Sequence, residues 1–378
     1  MRVLLLLLSL GIACASLAQS ANSSVPPAPA VAAKSYLLLD FHSEQALASH
    51  NPGERVEPAS LTKLMTAYLT FAALRQKQIQ PTQTVPVSER ASKAEGSRMF
   101  IEPRRPVTVD ELMRGMIVQS GNDACIALAE LIAGGEETFA QHMNREAQRL
   151  GMKNTNFVNA TGLPDSRHYS TAYDLALLAI AIIRDFPEYH PLYSMKEFRY
   201  NNITQANRNR LLWSDPAVDG MKTGYTETAG YCLITSARRG ERRLISVVLG
   251  AASEAARATE SEKLLNYGFQ FYDSVKLYEK NQPVTSLRVW KGSGDSVKVG
   301  FLNDLYVSLP KGQADKLKAG LESRQPLFAP ISAGQKIGVM KLMLDGKPYA
   351  EIPVVALEAV TLAGILGRGW DSIRLLFK

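Results

Sequence analysis

Ser60 and Lys63 stand three residues apart in the stretch Pro58-Ala59-Ser60-Leu61-Thr62-Lys63-Leu64-Met65. Residues at that spacing share one face of a helix, so a hydroxyl and an amine can meet there. A serine attacks a carbonyl carbon once a neighbouring base takes its proton. Lysine serves as that base when burial disfavours its charged form. Leu64, Met65, Tyr68, Leu69, Phe71 and Ala72 follow, too apolar all round for a surface helix. The sequence therefore predicts a buried helix with Ser60 and Lys63 at its start. Pro58 suits a first-turn position, and the helix N-terminus favours negative charge on the serine oxygen. The same spacing recurs at Ser308-Leu309-Pro310-Lys311, but there a proline and Gly312 predict a turn after a strand. Spacing alone thus selects no active site.

Two further polar motifs lie downstream. Ser120-Gly121-Asn122 falls in a loop between two predicted helices, the first from about Thr108 and the second from Asp123 to Ile132. Lys222-Thr223-Gly224 leads into an apolar run, Tyr231 to Ala237, joined by the polar turn 238–242 to a second run, Leu244 to Gly250. These two runs predict an antiparallel hairpin. Lys34 to Asp40 predicts another strand. Glu136 to Leu150, Tyr173 to Ile183 and Glu254 to Phe271 predict helices, and Lys196 to Tyr200 is strand-like. Helices on an antiparallel sheet, without regular strand–helix–strand repeats, give an α+β core. From Val275 to Val355 the runs become short and strand-like between turns, predicting a small all-β unit with no chemical constellation.

The chain has 378 residues, 46% hydrophobic and 21% charged, with a formal charge of +7. No Lys/Arg block with interleaved aromatics is present, which argues against nucleic-acid binding. Met1-Arg2, the apolar run Val3 to Ala13 and the small residues Ser16-Leu17-Ala18 predict a secretory signal peptide over 1–18. A lipoprotein reading at Cys14 fails because Gly11-Ile12-Ala13 lacks the aliphatic residue expected three positions before the cysteine. Cys125 and Cys232 lie in apolar runs and read as buried free thiols. At the other end, Leu362, Ile365, Leu366, Trp370, Ile373, Leu376 and Phe377 project to one helical face, with Arg368, Asp371, Arg374 and Lys378 opposite. Residues 357–378 therefore predict an amphipathic helix lying on an anionic membrane surface. The five histidines have no metal-ligand spacing and no G-x-S-x-G occurs, so neither a metal site nor a histidine-based hydrolase is expected. No cofactor is called for.

The three motifs in this order, S-x-x-K, S-x-N and K-T-G, are those of penicillin-recognising serine enzymes. With Ala160-Thr161-Gly162-Leu163-Pro164, Asn207-Arg208-Asn209, Leu211-Leu212-Trp213 and Leu264-Leu265-Asn266-Tyr267-Gly268-Phe269, the chain resembles the low-molecular-mass penicillin-binding proteins of the penicillin-binding protein 5/6 group, serine D-alanyl-D-alanine carboxypeptidases. The resemblance implies a penicillin-binding-protein-like catalytic domain over 19–272, a small all-β domain over 273–356 and the anchoring helix over 357–378. It implies removal of the terminal D-alanine from peptidoglycan pentapeptides, acylation by β-lactams, and a periplasmic enzyme attached to the inner membrane. Roles follow from the same likeness. Ser60 is the nucleophile and Lys63 its base, Ser120 relays a proton, and Asn122 holds the lysine or the substrate amide. Lys222 supplies positive potential, Thr223 and Arg208 bind the terminal carboxylate, and Gly224 keeps the strand clear for substrate. The backbone N–H groups of Ser60 and Tyr225 form the oxyanion hole. Tyr225 departs from the histidine found in many relatives. A class A β-lactamase requires a deacylating glutamate between the second and third motifs, and none lies between Glu146 and Glu188. A peptidoglycan DD-endopeptidase and a non-catalytic penicillin-binding morphology protein are the alternative readings.

Overall fold

The computed structural model describes residues 25–365 together with 367, 370, 371 and 374. The signal peptide expected over 1–18 lies outside the described residues. Five strands form the central antiparallel sheet: β1 (Ser35–Asp40), β2 (Ala46–His50), β3 (Val218–Thr226), β4 (Gly230–Arg239) and β5 (Arg242–Ala251), in the order β2-β1-β5-β4-β3. Side chains alternate across a strand, and β1 shows the consequence. Leu37 and Leu39 pack into one apolar cluster and Leu38 into another on the opposite face. Both faces are covered, which is why these strands read as continuous apolar runs rather than as alternating ones.

The larger cluster holds helix α1 (Lys63–Arg75), entered through a 3-10 turn at Ala59–Thr62. Helices α2 (Val109–Val118), α3 (Asn122–Ala133), α4 (Glu136–Arg149) and α5 (Ala172–Asp185) pack around it. Ten of the thirteen α1 residues are buried, as expected of a helix apolar on every side. Thr108 caps α2 through a reciprocal pair with Glu111, which fixes where the helix begins and so where its C-terminal loop, carrying Ser120, ends up. On the other face of the sheet lies α6 (Glu254–Phe271), capped by Ser253 and packed on Leu38, Leu244 and Val248.

The C-terminal part has its own core around Val297, Val299, Val307, Met340 and Val354. Its strands are β6 (Tyr272–Tyr278), β7 (Pro283–Trp290), β8 (Ser296–Gly300), β9 (Leu305–Pro310), β10 (Leu317–Ser323), β11 (Leu327–Phe328), β12 (Lys336–Leu344) and β13 (Lys347–Ala356). They form a six-stranded sheet, β10-β12-β13-β8-β7-β11, and the ladder β6-β9. The second S-x-x-K serine, Ser308, sits inside β9 at the junction with the catalytic part. Its hydroxyl pairs with that of Ser43 at 2.7 Å and its N–H donates to Gln45 Oε1 at 2.6 Å. It joins two units and has no lysine beside it.

The tail departs from the expected helix at its start. Residues 357–364 are not helical, because Val360 pairs with Ile331 and Leu362 with Gly292, which docks this stretch on the β part. Ile365, Gly367, Trp370, Asp371 and Arg374 are helical, and Asp371 Oδ2 accepts a hydrogen bond from Lys291 N at 2.6 Å. Ile365 and Trp370 are exposed. The remaining residues of the expected amphipathic face, Leu366, Arg368, Ile373, Leu376, Phe377 and Lys378, lie outside the described residues. Among the described residues no helix is long and apolar enough to cross a membrane.

Candidate active site

The nucleophile turn is held in place before any chemistry is considered. Ala59 takes a left-handed φ of 48°, and its carbonyl faces Gly162. A Cβ on Gly162 would lie 1.8 Å from that oxygen, so only glycine fits there. Gly224 of β3 approaches from another side. A Cβ on it would lie 3.2 Å from Pro58 O and 3.3 Å from both Ala59 Cβ and Leu61 Cγ. Clearing the strand for substrate was the expected reason for this glycine; its tight constraint is the close packing of β3 on the serine turn.

Lys63 Nζ donates to Ser60 Oγ at 3.0 Å and to Thr161 O at 2.6 Å. The ammonium is buried, and burial is the main cause that pulls its pKa down to about 8. Repulsion from Arg208 lowers it further, while Cys125 and Asp123 oppose the fall. The lysine is thus a base poised near neutral pH and aimed at the serine hydroxyl. Lys222 is buried as well, and desolvation with repulsion from Lys63 and Arg208 holds it well below the ordinary lysine range. Its Nζ donates to Thr223 O at 2.9 Å.

Ser120 completes the group from the loop between α2 and α3. Its backbone is left-handed at φ 69°, and its buried Oγ has no hydrogen-bond partner among the described residues. A buried hydroxyl without a partner costs about 1–3 kcal/mol, so its place at the cavity calls for a ligand or a transferring proton. Lys63 has no hydrogen bond to Asn122 among the described residues. Asn122 Nδ2 donates to Glu95 O and its N–H to Ser97 O, both at 2.6 Å, so it fixes the loop that forms the cavity rim. The Thr161 carbonyl holds the lysine amine beside Ser60.

Ser60, Ser120, Thr223, Gly224, Tyr225 and Arg208 line one cavity of about 530 Å³. Arg208 stands at the tip of a turn made by its two neighbours. Asn207 Oδ1 accepts from Asn209 N, Asn209 Oδ1 accepts from Leu211 N, and Asn209 Nδ2 reaches Gly220 O on β3 at 3.1 Å. Arg208 is exposed and makes no ion pair among the described residues. β3 is an edge strand, so a peptide can be added along it. Tyr225 is half exposed and its ring lies 4.4 Å from that of Tyr231.

Five residues given no role by sequence reasoning support this arrangement. Thr161 lies in the quoted Ala160–Pro164 motif, but a backbone acceptor leaves no mark on residue type. Asp123, next to Asn122, accepts from the N–H groups of Met99, Phe100 and Ile101 and so shapes the same rim loop. Glu57 Oε2 accepts from Thr226 Oγ1 at 3.1 Å and Thr228 Oγ1 at 2.5 Å. It ties the residues before Ser60 to those after Tyr225. Arg257 of α6 is buried, and its guanidinium donates to Gly224 O at 3.3 Å and Arg208 O at 3.4 Å. His168 is buried against the turn. Val158 N donates to its Nδ1, so Nε2–H donates to Thr62 Oγ1 at 2.8 Å. Burial pulls its pKa down to about 4. Cys125 and Cys232 are buried free thiols, as expected.

A buried lysine on a serine, an unpaired loop hydroxyl and a cationic edge strand define a serine acyl-transfer enzyme on a penicillin-binding-protein-like α+β fold. The profile of the family "D-alanyl-D-alanine carboxypeptidase" matches residues 20–253, and that of "Penicillin-binding protein 5, C-terminal domain" matches residues 272–362. D-alanyl-D-alanine carboxypeptidase DacC of Escherichia coli is 43% identical over 358 residues, covering 93% of this chain and 90% of the relative. The solved penicillin-binding protein 5 from Haemophilus influenzae superposes with a TM-score of 0.85 at 42% identity, covering 89% of this chain and 99% of that one. Penicillin-binding protein D2 from Listeria monocytogenes, solved in the ampicillin-bound form, superposes with a TM-score of 0.60 at 32% identity, covering 65% of this chain and 100% of that one. The chain belongs to the D-alanyl-D-alanine carboxypeptidase family.

Proposed function

We propose that the chain is a serine-type D-Ala-D-Ala carboxypeptidase that removes the terminal D-alanine from peptidoglycan pentapeptides and is acylated at Ser60 by β-lactams. The observation that carries this is the 3.0 Å contact between a buried, pKa-lowered Lys63 and Ser60 inside a cavity with surplus positive charge. Lys63 takes the Ser60 proton as Oγ attacks the carbonyl of the penultimate D-alanine. The backbone N–H groups of Ser60 and Tyr225 receive the oxyanion, a role in which a single donor is worth about 10²–10³ in rate. Ser120 passes a proton to the leaving amine. The terminal carboxylate lies at Thr223 and the unpaired Arg208 guanidinium, with Lys222 adding positive potential. Water then opens the Ser60 ester, returning the enzyme. No glutamate lies between Glu146 and Glu188, where a β-lactamase-type deacylating residue is expected, which supports release through the lysine and Ser120.

The periplasmic address rests on the 1–18 leader, and attachment to the inner membrane rests on the tail, where Ile365 and Trp370 stay exposed. The test is release of D-alanine from a pentapeptide ending in D-Ala-D-Ala by the purified mature chain. Penicillin labelling without D-alanine release leaves a non-catalytic binding protein; absence of both in folded protein removes the assignment.

A further inference from the structure

A second cavity of about 450 Å³ adjoins the catalytic one. Arg208 and Glu254 line both. The rest of the second cavity is Ala206, Asn207, Arg210 and Trp213. Its floor is apolar, made by the Trp213 ring and the alanine, and its rim is charged. Trp213 is 49% exposed, in a short helical turn, Leu211–Ser214, whose two leucines are buried. The turn is therefore anchored while its indole faces solvent. Arg210 and Arg257 both reach Glu254 Oε1, at 3.1 and 3.7 Å, so the partition between the cavities is pinned from either side. Arg208 is left free to serve both.

The place of this groove relative to the reaction decides what it can hold. With the terminal carboxylate at Arg208 and Thr223, the residue bearing it is the leaving group. Whatever that residue carries beyond a methyl needs room next to Arg208, and the second cavity adjoins the catalytic one there. D-Alanine has nothing to put there. The geometry points to a leaving-group subsite, floored by Trp213, for terminal D-residues with long apolar or aromatic side chains. This rests on the carboxypeptidase reading and extends it in substrate class. The reaction balance is unchanged: the Ser60 ester replaces the amide, the amine of the larger D-residue leaves with the proton, and water regenerates the serine. One chemistry, a D-centre with an extended side chain, has two sources. It is a free terminal D-residue, or the D-centre of a peptide cross-link whose side chain continues into a second stem.

The test compares kcat/KM for otherwise identical peptides ending in D-Ala-D-Ala and D-Ala-D-Phe, and for a cross-linked stem dimer. The wild-type chain is expected to release D-phenylalanine within about tenfold of its rate with D-alanine. Trp213→Ala lowers the D-phenylalanine rate roughly tenfold, the scale of an aromatic contact with its buried area, and leaves D-alanine release unchanged. Trp213→Phe restores most of the loss, and thermal melting verifies that each variant folds. Opening of the dimer that falls with Trp213→Ala identifies the cross-link as a source; loss confined to D-Ala-D-Phe identifies free D-residues. D-alanine release without D-phenylalanine release overturns the subsite alone, as does a Trp213→Ala variant slowed equally on both peptides. No release from D-Ala-D-Ala overturns the underlying carboxypeptidase reading with it.

Discussion

Replacing or titrating Lys63 gives a quantitative test of the base. An ordinary lysine with a pKa near 10.5 is neutral in only about three molecules in ten thousand at pH 7. At a pKa of about 8 the neutral fraction at pH 7 is about one in eleven. Burial therefore raises the population of competent base about 300-fold, at an electrostatic cost of about 3 kcal/mol in charging the amine. The second-order rate constant for acylation by a fluorescent penicillin should climb about tenfold per pH unit from about pH 5.5 to pH 7.5, then level off above about pH 8.5. Lys63→Arg keeps the charge but has no accessible neutral form, and should slow acylation by about 10²–10⁴. Arg208 helps to lower the lysine pKa, so Arg208→Ala should move the midpoint upward. A rate constant flat from about pH 6 to pH 9, or one with its midpoint near 10.5, would show that Lys63 is not the base taking the serine proton.

Glu57→Ala should lower the acylation rate by about tenfold or more, because its carboxylate joins the two segments proposed to supply the oxyanion N–H groups. Glu57→Gln, which keeps an acceptor oxygen, should recover most of the rate in the same stopped-flow assay. His168 predicts acid sensitivity. Its folded pKa of about 4 lies below the ordinary 6.5, so the unfolded chain binds the proton first and stability falls as pH drops through that window. The loss reaches about 3 kcal/mol near pH 4, measurable as a falling Tm that flattens in His168→Gln. Removing residues 364–378, beyond the docked Val360 and Leu362, should release the chain from anionic vesicles in a flotation assay, with no more than a small fall in Tm from loss of the Asp371 contact to Lys291 N. Persistence on the vesicles would count against the anchor.

Much of the site was legible because its chemistry is written in residue types at fixed places. Ser60, Lys63, Ser120 and Lys222 come together as the three motifs require. Helix α1 was legible because an all-round apolar run has one place to go, and β1 because SYLLLD is buried on both faces. Strands β2 and β10 were not. Each lies at a sheet edge, and in LKAGLES of β10 only Leu317 and Leu321 pack on the core, too little apolar surface to stand out as a strand. Arg257 was hidden for a related reason. Among the charges of EAARATESEK it looks like any surface arginine, and only the packing of α6 on β4 and β5 buries it. Asn122 shows the converse. Its motif position suggested a partner for Lys63 or the substrate amide, and nothing in the sequence signals that its Nδ2 also ties the Glu95 carbonyl of the rim loop.

The most direct measurement is the site of penicillin attachment. The chain is incubated with penicillin, digested with trypsin, and the fragment spanning residues 56–63 is sequenced by mass spectrometry. The account predicts a single adduct on Ser60 of that fragment, absent in Ser60→Ala and strongly reduced in Lys63→Arg. An adduct on another residue, or none on protein that melts cooperatively, contradicts it.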